Sequence, residues 1–131
     1  MSTVMPYLLV GVGGFIGANA RFVVARLVGG MFETKFPLGT FVINISGSFL
    51  LGVLGTVVAQ RVMPSSESMR LALGIGFLGA YTTFSTFEFE THALFGDGSW
   101  FIATANMAAS VFIGLLAVRA GVVAAKFWLT P

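Results

Sequence analysis

Four apolar runs divide the chain, at residues 4–28, 38–60, 71–95 and 99–126, with short connections at 29–37, 61–70 and 96–98 between them. Each run exceeds the ~20 residues a membrane-spanning helix needs. The pattern predicts an all-α membrane protein in which residues 1–131 form a single domain of four transmembrane helices. Composition supports the same class. The chain is 56% hydrophobic and 9% charged, its mean hydropathy is +0.95, and soluble domains are nearer a quarter charged. The first run is too long for a signal peptide and lacks a basic lead and a small-residue cleavage site, so it is read as a helix.

Polar positions inside these runs carry the next layer of information. In the first helix, Gly13 with Gly17 and Gly14 with Ala18 are small-xxx-small pairs that let backbones approach closely. Arg21 lies one turn further along that face, a place for snorkelling or for the mouth of a polar path. The second helix holds Thr40, Asn44, Ser48 and Gly52 at steps of four. Asn44 is its most demanding member, because lipid offers an amide no partner. It reads either as an interhelical clamp or as an N–H directed at a passing anion.

The third run is the unusual one. Gly74, Gly76 and Gly79 lower helix propensity through its middle, and Thr82-Thr83-Phe84-Ser85-Thr86-Phe87 follows with four hydroxyls and two rings. A helix broken at membrane depth frees carbonyls and amides, tolerated where protein or a cavity covers them. Such ends recur as ion sites in transport proteins. Phe84 and Phe87, three apart, share a face, and the rim of a benzene ring is its positive part. On the fourth helix Asn106, Ser110 and Gly114 repeat at steps of four. Uncharged donors on three helices suit a small anion or a neutral polar solute, and do not choose fluoride over chloride. Glu88 and Glu90 stand late in the third helix, placed to gate or to pair with Arg21 and Arg26; His92 reads as interfacial.

Charge and chemistry narrow the field further. With the N-terminus on one side, that side receives Arg61, Arg70, Arg119 and Lys126, and the other receives Arg21, Arg26 and Lys35. Four against three is almost no orienting bias, so the chain either inserts both ways up or follows one weak preference. A unit of this girth cannot wall a pore alone, which points to self-association. The chain has no cysteine. It shows no nucleophile–base pair, metal-ligand spacing or phosphate-binding loop, so an enzyme, an organic cofactor and a nucleic-acid partner are not expected.

The ordered blocks Gly13-Gly14-x-x-Gly17-Ala18-x-x-Arg21-Phe22, Gly39-Thr40-x-x-x-Asn44-x-x-Gly47-Ser48-Phe49, Gly76-Phe77-x-Gly79-x-x-Thr82-Thr83-Phe84-Ser85-Thr86-Phe87-x-x-Glu90 and Asn106-x-x-x-Ser110-x-x-x-Gly114 span nearly the whole chain. Together they resemble the Fluc fluoride channel family of CrcB-like proteins. The resemblance implies a fluoride-selective channel for passive export across the bacterial inner membrane. It also implies a dual-topology, antiparallel homodimer with two pathways along the subunit interface and the third helix broken near its middle. By the same resemblance, Asn44, Phe84, Ser85, Thr86, Phe87, Asn106 and Ser110 would line the fluoride pathway, and Arg21 and Glu90 would stand at the vestibule. Gly79 and Thr82 would hold a structural Na+ through their backbone carbonyls. The chain departs from some relatives at Asn106, where they carry Tyr, and at Gly114, where they carry a hydroxyl; Phe22 replaces a common Tyr.

Two other classes stay in view. A proton-coupled exporter of the small multidrug resistance type shares the size and helix count, but looks to a carboxylate in its first helix, and this first helix has none. A non-transporting membrane scaffold would use the same polar residues as clamps alone.

Overall fold

Glycine faces decide which helices touch. The computed structural model describes residues 3–60 and 66–129. In order, these form α1 (Met5–Met31), α2 (Leu38–Ala59), α3 (Ser66–Met69), a π-helical segment (Arg70–Leu78), α4 (Gly79–Tyr81), α5 (Phe84–Gly96) and α6 (Trp100–Leu129). The described residues contain no strand, and α1, α2 and α6 are each long and apolar enough to cross a membrane. α1 runs three residues beyond the predicted end at 28, through Gly29 and Gly30, and α6 three beyond 126. Where water is scarce, the backbone's own hydrogen bonds have no competitor and a helix continues through weak formers.

α1 lies against the π-helical segment. A Cβ added to Gly13 would fall on the backbone carbonyl of Ala72, and one on Gly17 on that of Phe77. Gly76 answers from the other side, lying against the backbone of Val10 and Gly13. The same device joins α2 to α6: a Cβ on Gly52 would strike the Val118 carbonyl, and one on Gly121 the Phe49 carbonyl. The small-xxx-small face of the first helix is therefore a packing face.

Within the third run the glycine-rich stretch and the two threonines after it behave differently. Residues 70–78 stay helical in a wider π form, and the Gly79 N–H is shared between the carbonyls of Gly74 and Gly76. Single π turns are uncommon and concentrate at functional sites. The helical course is interrupted after the glycines, where Thr82 (ψ 158°) and Thr83 (φ −151°, ψ 119°) are extended. The glycines are held by the α1 backbone; the two threonines are held from α2.

At one end of the bundle Lys35 reaches across to Asp97 (3.4 Å) and Ser99 (3.2 Å), tying the α1–α2 connection to the α5–α6 turn. Gly98 takes φ +80° in that turn, a conformation in which L side chains are strained. Hydrogen bonds from the Ser99 side chain and backbone, with Lys35 nearby, hold the exposed Asp97 carboxyl below its ordinary pKa. Arg70 pairs with Glu67 at 2.8 Å. Arg61, counted above for orientation, lies outside the described residues.

Replacing Gly13 by Val should cost about 1–3 kcal/mol or more, because a backbone carbonyl has to move. Gly11→Ala, which meets nothing within 4 Å, should stay within about 0.5 kcal/mol of the parent. Thermal denaturation in detergent, followed by the fraction eluting as folded protein, reads both; equal losses would contradict the packing assigned to α1.

Candidate functional site

The interruption at Thr82 and Thr83 is held by one side chain. Asn44 of α2 accepts from the Thr83 N–H (2.8 Å) and donates its amide to the Thr83 carbonyl (3.0 Å). An asparagine is suited to this, since one planar group carries both donor and acceptor and so matches a peptide edge. Of the two readings that the sequence left open for Asn44, the clamp is realised. One N–H of its NH2 remains beyond that pair.

The clamp changes what the nearby carbonyls can do. In an unbroken α-helix the Thr83 N–H would close onto Gly79, and the Thr86 N–H onto Thr82. Here the first goes to Asn44 and the second to the Thr83 hydroxyl, which caps α5 at 3.3 Å. The carbonyls of Gly79 and Thr82 thus lose their ordinary helical donors. Two neutral, hard oxygens set free in this way fit a small monovalent cation, while the described residues contain no cluster of acidic, His or Cys side chains suited to a metal.

Beside the interruption lies a groove of about 370 Å³ whose lining includes Asn44, Ser48, Gly79, Thr82, Phe84, Phe87 and Ser110. The polar positions on α2 and α6 therefore do meet across one space, as the steps of four suggested. Phe84 and Phe87 stand together with ring centroids 5.9 Å apart and planes at 42°. Phe87 is buried at 9% exposure, whereas Phe84 is 72% exposed on the single chain.

Three predicted residues stand elsewhere. Ser85 and Thr86 do not line the groove; both are exposed, and Thr86 is occupied with the Thr83 hydroxyl at 3.0 Å. Their side chains belong to the first turn of α5, where a capping contact satisfies the helix end. Asn106 sits behind the groove at 1% exposure, donating to Thr91 Oγ1 (2.8 Å) and accepting from Ser110 (3.3 Å). Thr91 in turn donates to the Phe87 carbonyl (2.7 Å). A relay from Ser110 through Asn106 and Thr91 therefore reaches the backbone of Phe87. Thr91 is a residue that the polar stripes did not single out, although it lies four positions beyond Phe87.

Glu90 and Arg21 are not paired. Thr40 donates to Glu90 Oε1 at 3.0 Å, and Glu90 Oε2 is buried with no hydrogen-bond partner among the described residues. Glu90 borders a separate pocket of about 210 Å³ near the α1–α2 connection. Neither Arg21 nor Arg26 reaches Glu88 or Glu90; Arg26 instead stands over the Phe22 ring at 5.6 Å.

Apolar spans packed through glycine, around a groove of amide, hydroxyl and ring groups with no formal charge among them, define a multi-pass membrane protein able to take in a small polar species. Residues 8–122 match the family model described as CrcB-like protein, Camphor Resistance (CrcB), and the chain belongs to that family. The Fluoride-specific ion channel FluC of Solibacter usitatus is 42% identical over 122 residues, covering 93% of this chain and 99% of the relative. Fluoride-specific ion channel FluC 2 of Moorella thermoacetica is 46% identical over 121 residues, covering 92% and 97%. The FluC protein of Acidobacterium capsulatum is 44% identical over 119 residues, covering 91% and 94%.

Asn44→Ala should leave both halves of the Thr83 peptide without a partner, at a cost of about 2 kcal/mol or more. Chemical or thermal unfolding of the purified protein in detergent measures it, and a variant as stable as the parent would remove Asn44 from its role as the clamp.

Proposed function

We propose that this chain is a fluoride-selective channel that lets fluoride leave the cell passively, and so lowers cytoplasmic fluoride. The groove carries this reading: uncharged donors and ring rims from α2, α5 and α6 converge on one space. The relatives that match most of its length bear the name of fluoride-specific ion channels. A small, strongly hydrated anion needs close donors in place of its water, yet a fixed opposite charge would hold it too tightly to let it go. Amide, hydroxyl and ring edge together meet both demands.

In this reading α3, the π-helical segment, α4 and α5 make a fourth, interrupted crossing, and the protein is a multi-pass resident of a bacterial inner membrane. Two copies pair antiparallel. The exposed Phe84 supports this, because a partner would cover it and complete a second wall of the groove. The remaining Asn44 N–H and the rims of Phe84 and Phe87 contact the ion in turn, and the Ser110 hydroxyl joins them by turning its proton from Asn106 to the ion. Asn106 and Thr91 act from behind, by orienting Ser110 and the Phe87 turn. Thr40 and Glu90, with Arg21, serve the approach to the groove. Gly79 and Thr82 would hold a sodium ion through their freed carbonyls, and the ion would supply a fixed positive charge there. Thr86, with Thr83, keeps the α5 end in place, and the exposed Ser85 is left to offer its hydroxyl to the pathway.

A proton-coupled exporter would require the flux to follow a pH gradient. A scaffold would give no flux at all.

Purified protein in liposomes should release fluoride down its gradient with no pH gradient applied, read by a fluoride electrode, and should release chloride far more slowly. Comparable chloride release would refute the selectivity. Phe87→Ile should slow fluoride release by tenfold or more, roughly the loss of one ion contact, while the protein elutes as the parent does. A rate equal to the parent's would reject the ring's role.

A further inference from the structure

The serine and threonine hydroxyls along the spanning helices have, in most cases, a fixed occupation. Ser46 donates to the carbonyls of Val42 and Ile43, Thr56 to Gly52, Thr91 to Phe87 and Thr104 to Trp100. This is the ordinary fate of a hydroxyl in a helix surrounded by lipid, where the preceding turn offers the nearest acceptor. Ser48 differs. It forms no hydrogen bond to any described residue, and it lines the groove one helical turn beyond Asn44, on the same face of α2.

What leaves room for it is the glycine opposite. A Cβ built on Gly114 of α6 would stand 3.9 Å from the Ser48 hydroxyl oxygen and 3.8 Å from Ile45, with nothing closer. The α6 stripe Asn106, Ser110, Gly114 therefore stops offering donors after Ser110, and the α2 hydroxyl occupies the level at which α6 falls silent. Its neighbours in the groove, Leu51 and Val111, cannot donate.

We infer that Ser48 is a further ion-contacting residue of the pathway, donating its hydroxyl to the anion one step beyond Asn44 and standing in for the donor that Gly114 lacks. This rests on the channel reading given above. A fluoride ion leaving the Asn44 amide would otherwise meet an apolar wall on both helices. With Ser48 uncommitted, the ion finds a hydroxyl that loses no intrahelical bond by turning toward it.

The geometry also supplies its own control. Because a side chain at 114 meets only ordinary contact distances, Gly114→Ser should fit and place a hydroxyl in the same part of the groove from the opposite wall. Fluoride release from liposomes, normalised to the amount of folded protein, should fall roughly tenfold in Ser48→Ala, as expected when one hydrogen bond to an ion is removed. The double variant Ser48→Ala/Gly114→Ser should recover to within about threefold of the parent by the same measure. Elution volume and thermal stability should be unchanged throughout. A Ser48→Ala rate equal to the parent's would overturn the inference, and so would a slowed single variant that the added hydroxyl fails to restore. If the parent itself releases no fluoride, the channel reading fails first, and the two failures are told apart by that baseline.

Discussion

A peptide group needs a hydrogen-bond partner where the helix around it stops, and the whole site depends on how this chain meets that constraint at Thr83. The pair of hydrogen bonds between Asn44 and the Thr83 peptide supplies the partners that the interrupted helix would otherwise lack. Once the interruption is stable, its consequences follow locally. Thr83 becomes the cap of a new helix, Phe84 and Phe87 fall within the first turn of α5, and the carbonyls of Gly79 and Thr82 are released. One amide side chain thus converts an oily segment into a surface with direction and polarity.

Around that point the protein uses glycine to bring backbones together and hydroxyls to finish what the backbone leaves open. α1 seats the π-helical segment through Gly13 and Gly17, and α2 seats α6 through Gly52 and Gly121. These close approaches set the position of Gly47, where any Cβ would collide with the Thr82 methyl, and so fix the interruption against the middle of α2. Packing and function are therefore joined: the residues that decide how near the helices lie also decide how wide the groove is.

Much of this was legible in the sequence because a membrane leaves few choices. Apolar length announced the spans, and polar residues inside them were few enough to be conspicuous. Asn44, Phe87 and Ser110 stood out for that reason and do meet at one groove. The rest was hidden by geometry that spacing does not encode. The glycine-rich residues 70–78 take a π form that no spacing announced. Thr86 looked like a pathway hydroxyl but is taken by a cap, and Asn106 looked like a lining residue but lies behind Ser110. The pairing of Arg21 or Arg26 with a late carboxylate is not made: Glu90 takes the Thr40 hydroxyl, and Arg26 stands over the Phe22 ring. A single sequence tells which groups need partners; it does not tell which partner wins.

The central claim is that a groove lined by neutral dipoles and ring rims passes fluoride in preference to chloride. Current carried by the protein in a planar bilayer, with opposed fluoride and chloride gradients, tests it most directly. The zero-current voltage should sit at the fluoride equilibrium potential and stay there when the chloride gradient is changed. A zero-current voltage that tracks chloride would contradict the account.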